Sequence, residues 1–393
     1  MPNPIQKLNL ALSWHKERHR PTGFGFTIAD SIDFIDPKTW DDLTSTHSFF
    51  LTRAYLRALE QNAPTNMRLR YALIFDQKKP AAAVVMQTVD IAADTVAKKG
   101  PNALHAKALI CGNLFTWGRH GTAFAPDSDP QKLWPGVAEA LYRVRQTEKL
   151  SGKTDLVMVK DLDGDPRGAQ ALERFSYNSV ETDPDMVLSL DTAWKTFDDY
   201  LAGLHSKYRK NAVKIAKDLS AAGCRLEPAD WSKDAKRIYE LYLQVHDAAK
   251  VRPVTAGPGY LAGLAQAAGP NMRTTVVRRG ESVLGFVTTI KENEETAIGY
   301  HIGFERDTRG ELPLYFALLQ ATVGDAIILG CRRLSLGRTA LEPKAKLGAR
   351  PNPMRVWVRH ANPMANILVK RLLRLVHHDE APDRNPFKEP GLL

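Results

Sequence analysis

The run Glu305-Arg306-Asp307-Thr308-Arg309-Gly310, followed closely by Leu312-Pro313-Leu314, combines fixed positive charge with a helix start. An apolar strand-like segment, TAIGYHIGF (296–304), leads into it, and a helix-like segment from about Leu312 to Leu329 leads out. Proline suits a first helical turn, where its missing N–H costs nothing. Such a strand–loop–helix aims the backbone N–H groups near Leu312 and Leu314, and the positive end of the helix dipole, at an anion. Arg306 and Arg309 would add charge to such a site, and Arg338, just after Gly337 in the next strand, is a further anion contact. The same residues also describe an ordinary strand-to-helix connection. Upstream, Lys207, Lys210, Lys214 and Lys217 line one face of a helix-like segment, with Leu204, Tyr208, Ala212, Ile215 and Leu219 on another. Four ammonium groups so close repel one another unless an anion lies along them or water screens them. In the first half, CGNLFTWGRHG sets Trp117, Arg119 and His120 among Gly112, Gly118 and Gly121. That is either a substrate-contacting loop at a cleft or a structural hairpin loop.

The elements that position these residues follow one order twice. In the first half a helix from Phe49 precedes a hairpin, LRYALIFD (69–76) and PAAAVVMQTVDI (80–91), and a third apolar run at 103–115. A helix at about 132–149, strand DLVMVKDL, a short helix RGAQALERFS and strand MVLSLD complete it. In the second half, helices at 204–220, 233–249 and 258–268 precede strands at 272–279, 283–291 and 296–304. The helix after Leu312, strand RRLSLG (332–337), a short helix and strand MRVWVRH (354–360) then repeat the pattern. The halves share architecture and no residue-by-residue identity. The order implies an α+β fold, a mixed sheet flanked by helices. The divisions are an extension or added edge element at 1–30, a first domain at 31–190, a second at 191–376 and a polar tail at 377–393.

Composition narrows the function classes. The chain has 393 residues, 44% hydrophobic and 25% charged, enough for two domains with real cores. No apolar run reaches the roughly 18 residues that cross a bilayer. The N-terminal stretch lacks the pattern of a signal peptide, so the expected location is the cytoplasm. Three scattered cysteines give neither a disulfide framework nor metal-ligand spacing, and no metal is expected. There is no Gly-x-Ser-x-Gly elbow, which excludes a serine hydrolase of that type. A net charge of +10 favours anionic partners: a nucleotide cofactor, a tRNA, an acidic carrier protein or a phospholipid surface.

The second half resembles the acyltransferase domain of the GNAT (Gcn5-related N-acyltransferase) superfamily, in its FemAB-like and BioF2-like branch of two tandem GNAT-like domains. The resemblance rests on HSKYRKNAVKIAKDLSAAGCRLE (205–227), YELYLQVHDAAK (239–250), GYHIGFERDTRGELPLYFALLQATVGDAIILGCRRLSLGRT (299–339) and EPKAKLGA (342–349). It extends loosely over residues 45 to 370. It implies an N-acyltransferase in which an amine attacks the acyl carbonyl of a thioester or ester directly. The 299–339 stretch would then hold the donor, acyl-coenzyme A or an acyl-carrier thioester, around Arg306, Arg309, Gly310, Leu312, Leu314 and Arg338. The family's donor loop usually has two glycines, and here Arg306 to Gly310 keeps an Arg-x-x-x-Gly spacing without the second. That leaves carrier-protein and aminoacyl-tRNA donors open beside coenzyme A. Candidate proton acceptors are His301 and Glu342. Lys344 matches the first lysine of the Fem-type Lys-containing turn and would stabilise negative charge on donor or intermediate. Strand alternation sends Tyr300 and His301 to opposite faces, so one of them faces the core and the other is free to meet substrate. Two alternatives stand beside the thioester reading: peptide-bond formation from aminoacyl-tRNA, and a non-enzymatic scaffold that holds nucleic acid or membrane.

Overall fold

A computed structural model describes residues 20–91, 106–163, 169–249, 251–306, 311–373 and 382–388. Residues 1–19, most of the 377–393 tail, and Arg309 and Gly310 of the expected anion loop lie outside them.

Local chemistry sets many of the elements. Strands β1 (Gly25–Ala29), β2 (Met67–Asp76) and β3 (Lys79–Ile91) form an antiparallel meander with β1 at the edge. Gln77 and Lys78 both take positive φ (46° and 70°), the two-residue geometry whose twist matches paired strands. Helices α1 (Pro37–Thr44) and α2 (Arg53–Gln61) lie between β1 and β2. β4 (Ala106–Cys111) and the short β5 (Thr122–Phe124) precede α3 (Pro130–Thr147). That helix starts with Pro130 in its first turn and Asp129 accepting the Gln131 N–H. β6 (Leu156–Asp163), a 3₁₀ turn (Ala169–Phe175) and β7 (Asn178–Ser189) follow.

The second half runs α4 (Phe197–Gly203), α5 (Ser206–Ala221), β8 (Cys224–Pro228), α6 (Trp231–His246) and α7 (Tyr260–Ala268). Strands β9 (Met272–Arg279), β10 (Ser282–Lys291) and β11 (Thr296–Phe304) then meander into α8 (Leu314–Ile328). Last come β12 (Arg333–Ser335), α9 (Leu341–Lys346), β13 (Arg350–His360) and α10 (Pro363–Leu373). β8 and α4 do not stand out in the sequence as separate periodic segments. A capping box between Thr196 and Asp199 starts α4.

All these strands join one thirteen-stranded sheet, ordered β1-β2-β3-β4-β6-β13-β7-β12-β11-β10-β9-β8, with β5 added against β3. Among the described residues only β4/β6 and β11/β12 are parallel. The sequence therefore reads the same from either edge: a meander, a parallel pair, then a strand lent by the other half. β13 lies between β6 and β7, and β7 lies between β13 and β12. The division near Asp191 cuts the chain, while the sheet runs through it.

The cores repeat the exchange. Trp357 of β13 is buried among Leu109, Val137, Leu141 and Val159 of the first half. Met186 and Leu188 of β7 are buried among Val323, Leu334 and Leu341 of the second. A third core draws Trp40, Phe50, Tyr55 and Tyr71 together with Leu241, Tyr260, Phe286 and Tyr300. At Gly303 an added Cβ would lie 2.7 Å from the Leu241 backbone, so α6 rests directly on β11 there. Cys111, Cys224 and Cys331 are buried free thiols. No helix among the described residues is long and apolar enough to cross a membrane.

Removing either lent strand strips a hydrogen-bonding partner from the other half and opens its core. The expected result is one cooperative unfolding transition for the whole chain by calorimetry. Residues 1–190 and 191–393 expressed separately should each lack a cooperative melt, and a stable, cooperatively folded fragment would contradict the exchange.

Candidate active site

The second half's parallel pair comes apart almost at once. β11 and β12 pair only at Thr296/Arg333, Ala297/Leu334 and Ile298/Ser335. β12 then ends, while β11 continues to Phe304. This leaves a wedge-shaped opening beside Gly299 to Phe304, with their main chain edge-on to it.

Within that stretch β11 carries a bulge. Val287 of β10 faces Ile302 and Thr289 faces Gly299, so Tyr300 and His301 together oppose Thr288. The Thr288 hydroxyl accepts the His301 N–H at 2.9 Å and lies 3.3 Å from the His301 carbonyl, which accepts its hydrogen. Simple alternation would separate Tyr300 and His301. The extra residue reverses the parity and brings both rings to one face, with centroids 4.3 Å apart. His301 also meets the ring edges of Tyr242 (5.2 Å) and Tyr260 (6.5 Å). The bulge corrects the expectation of opposite faces.

This face is aromatic and polar at once. The Tyr300 hydroxyl is 2.5 Å from that of Tyr260, which is 3.1 Å from that of Tyr55. Asn113 donates to Tyr55 at 2.6 Å, carrying the chain of hydroxyls into the first half. Burial raises the pKa of all three tyrosines, so they stay protonated donors. His301 Nε2 is buried with no partner in the protein. Desolvation, aided by His246, pushes His301 down to about 3, which keeps the ring neutral. In the Nδ1–H tautomer of the neutral ring, Nε2 is an acceptor left without a donor in the protein.

A second polar cluster closes the wedge where β12 ends. Trp117, from the 112–121 loop of the first half, donates its Nε1–H to Ser335 Oγ at 2.6 Å. Ser335 donates to Asp185 Oδ2 at 2.7 Å, and the Gly337 N–H donates to Asp185 Oδ1 at 2.9 Å. Gly337 has φ of +79°, and a Cβ there would sit 3.1 Å from the Trp117 ring. Lys344 of α9 donates to the Gly337 carbonyl at 3.0 Å. Burial lowers Lys344 to about 8 against the pull of Asp185, while burial raises Asp185. Arg338 pairs with the fully buried Asp161 at 2.8 Å, and Asp161 also pairs with Lys160. Fully buried His120 joins Thr116 Oγ1 and Glu292 Oε1, each at 2.6 Å.

On the other face of α8 lies a cavity of about 350 Å³, walled by α4, α5, α8 and α9. Leu204, Ile215, Phe316, Leu319 and Leu347 give it an apolar interior, and Lys214 and Lys346 stand in its lining. Pro313, the residue before α8, also lines it, and no side chain caps that helix.

The structure gathers some of the expected residues and separates others. Tyr300 and His301 meet on the bulge. Trp117, Lys344 and Arg338 converge around Gly337, with Arg338 committed to Asp161. His120 clamps the first-half loop to Glu292. Arg119 is exposed. Glu342 is a surface carboxylate between Arg384 (2.9 Å) and Lys346 (3.3 Å), which hold it below the usual range. Arg306 bonds Gln244 through its N–H (3.1 Å) and its guanidinium (3.3 Å), Leu314 is buried in the core and Leu312 packs against it. Asp185, Asp161, Ser335 and Tyr260 join the site without any signal in the sequence. Each is a single polar residue inside an apolar or mixed segment, with no spacing to mark it.

Residues 206–345 match the family model described as an acetyltransferase (GNAT) domain. Residues 206–345 are a GNAT acyltransferase domain. No curated protein sequence matches the chain. The fold of the whole chain is similar to that of a tandem GNAT protein from the clavulanic acid biosynthesis pathway. The two share 14% identity over 86% of this chain and 99% of that one, with a TM-score of 0.53. FemX is similar over 88% of this chain and 100% of its own, at 11% identity and a TM-score of 0.52. The chain thus has the tandem GNAT fold, with the wedge beside β11 in its second half. In the first half Gly121 packs back against Gly112, whose Cβ position lies against Lys160. The loop thereby fills the matching place beside β4 and β6.

Between pH 6.5 and about 3, unfolded chains protonate His301 and the native site does not, so stability falls as pH falls through that window. The melting-temperature difference between wild type and His301→Gln should therefore shrink on going from pH 7 to pH 4. A difference independent of pH would show that His301 titrates in the fold as it does in the unfolded chain, and would contradict its burial as a neutral ring.

Proposed function

We propose that the protein transfers an acyl group from a pantetheine thioester, as in acyl-coenzyme A or an acyl-carrier thioester, to an amine. The observation that carries this reading is the bulge at Tyr300–His301 on a strand edge that has parted from β12. Transfer needs donor and acceptor held together and the carbonyl polarised, with no covalent enzyme intermediate. The parted edge offers backbone N–H groups to a carbonyl oxygen. The apolar cavity beside α8 has the size of a small-molecule site. It accommodates the donor's arm, with Lys214 and Lys346 near its negative end.

His301 would orient the acceptor by taking one amine hydrogen on Nε2. The amine nitrogen forms the new C–N bond, the C–S bond breaks, and the amine proton is lost to solvent as the thiolate is protonated. With its buried charge Lys344 would stabilise the negative intermediate or the departing thiolate. Trp117 and Asp185 act through Gly337 and Ser335 to hold the end of β12 in place; they are positioning residues. A second reading, transfer from aminoacyl-tRNA, is favoured by the exposed lysines of α5, which suit a phosphate backbone.

Thermal-shift titration with acetyl-, octanoyl- and palmitoyl-coenzyme A tests the donor. Binding at about a hundred times Kd should add roughly 2.7 kcal/mol of stability. Gln320→Trp, which fills the cavity from α8, should weaken that binding at least about tenfold, a loss of about 1.4 kcal/mol. No shift with any thioester, together with tight and salt-sensitive tRNA binding, would transfer the proposal to the aminoacyl-tRNA donor.

A further inference from the structure

The exposed face of α5 holds Lys207, Lys210, Lys214 and Lys217, and with Arg209 the helix has five basic residues against one acid, Asp218. All four lysines are exposed, and none makes a side-chain ion pair or hydrogen bond among the described residues. The opposite face is fixed: Ile215 and Leu219 pack with Leu314 and Leu318 of α8. The stripe is therefore held rigidly outward. At 1.5 Å per residue it runs about 15 Å, the length of ten residues of a facing helix. Val213 lies within it at 37% exposure, and Phe316 stands at 42% exposure in the lining of the neighbouring cavity. Lys214 belongs to both the stripe and the cavity lining.

We infer that α5 is the docking surface for an acidic carrier protein, which presents its acyl-phosphopantetheine arm to the cavity between α5, α8 and α9. This rests on the thioester-donor reading above and selects the form in which the donor arrives. A short basic stripe around one small apolar contact matches a single acidic helix. Facing carboxylates at helical spacing meet lysines at i, i+3, i+7 and i+10 in register. Nucleic acid favours a longer track with aromatic stacking platforms, and the exposed side of this stripe has no aromatic residue. A lipid surface needs a broad apolar helix face beside the charges, and here Val213 stands alone. A free coenzyme A needs only the two lysines of the cavity and leaves Lys207, Lys210 and Lys217 without a role.

The test compares two probes on the full chain by biolayer interferometry: octanoyl-pantetheine alone, and an acidic acyl carrier protein bearing octanoyl-phosphopantetheine. The carrier should bind at least tenfold more tightly than the free thioester, and progressively less tightly as salt rises. The variant Lys207→Glu/Lys210→Glu/Lys217→Glu, with circular dichroism and melting temperature matching wild type, should weaken carrier binding roughly tenfold or more. It should leave octanoyl-pantetheine binding within twofold. Carrier affinity that is no better than that of the free thioester, or that the triple reversal leaves unchanged, would overturn the proposal. So would tRNA binding that the triple reversal abolishes while the carrier fails to bind. Lysine-dependent carrier binding without any Gln320→Trp-sensitive thioester binding would keep the docking surface and overturn the cavity as the donor site.

Discussion

The antiparallel ladder between β7 and β13 is the contact on which both halves depend. It pairs Arg350 with Val187 and runs to Val358 with Asn178, so it spans nearly the full length of each strand. Each of these strands also completes the other half's parallel pair on its far side. Backbone groups in the middle of a sheet have no water to turn to. The exchange therefore couples two similar folds into one cooperative body, and it fixes where β12 must stop. The wedge beside Gly299 to Phe304 exists because β12, held on its far side by β7, leaves β11 after Ser335 while β11 runs on to Phe304.

The polar residues at this seam follow from the same constraint. Asp185 sits on lent strand β7 and accepts from Ser335 and the Gly337 N–H, which tie down the end of β12. Trp117 arrives from the first half and packs on the same turn. Arg338 reaches back to Asp161 on β6. A buried carboxylate without partners would be costly, and here each is matched by donors from the opposite half. The geometry around Lys344 is thus a property of both halves, although only the second carries the open wedge.

Much of this fold was legible along the chain. The β2–β3 hairpin, the order β9-β10-β11-α8 and the length of α5 follow from periodicity and turn residues, and β11 and β9 fall on the expected bounds. The α+β class follows from the same order, and the likeness to GNAT acyltransferases rests on the residue runs 205–227, 239–250, 299–339 and 342–349. What lay hidden was non-local. A buried apolar strand such as MVLSL does not encode which neighbour it pairs with, so β7 was readable as a strand and its partner was not. The bulge at Tyr300–His301 depends on Thr288 across the ladder, so alternation within β11 predicted the wrong face for one ring. Glu342 and Lys344, two residues apart, end in opposite environments because α9 turns one toward Gly337 and the other toward Arg384 and Lys346.

The strand order also imposes a timetable on synthesis. β6 emerges from the ribosome long before β13, which is its neighbour in the finished sheet and lies almost at the end of the chain. At about 5–20 residues per second, the first half waits roughly ten seconds or more with an open strand edge and the bed of Trp357 uncovered. An unpaired edge beside exposed apolar side chains is an invitation to aggregation. The nascent first half therefore passes through a stage of exposure that a self-contained domain of the same length would escape.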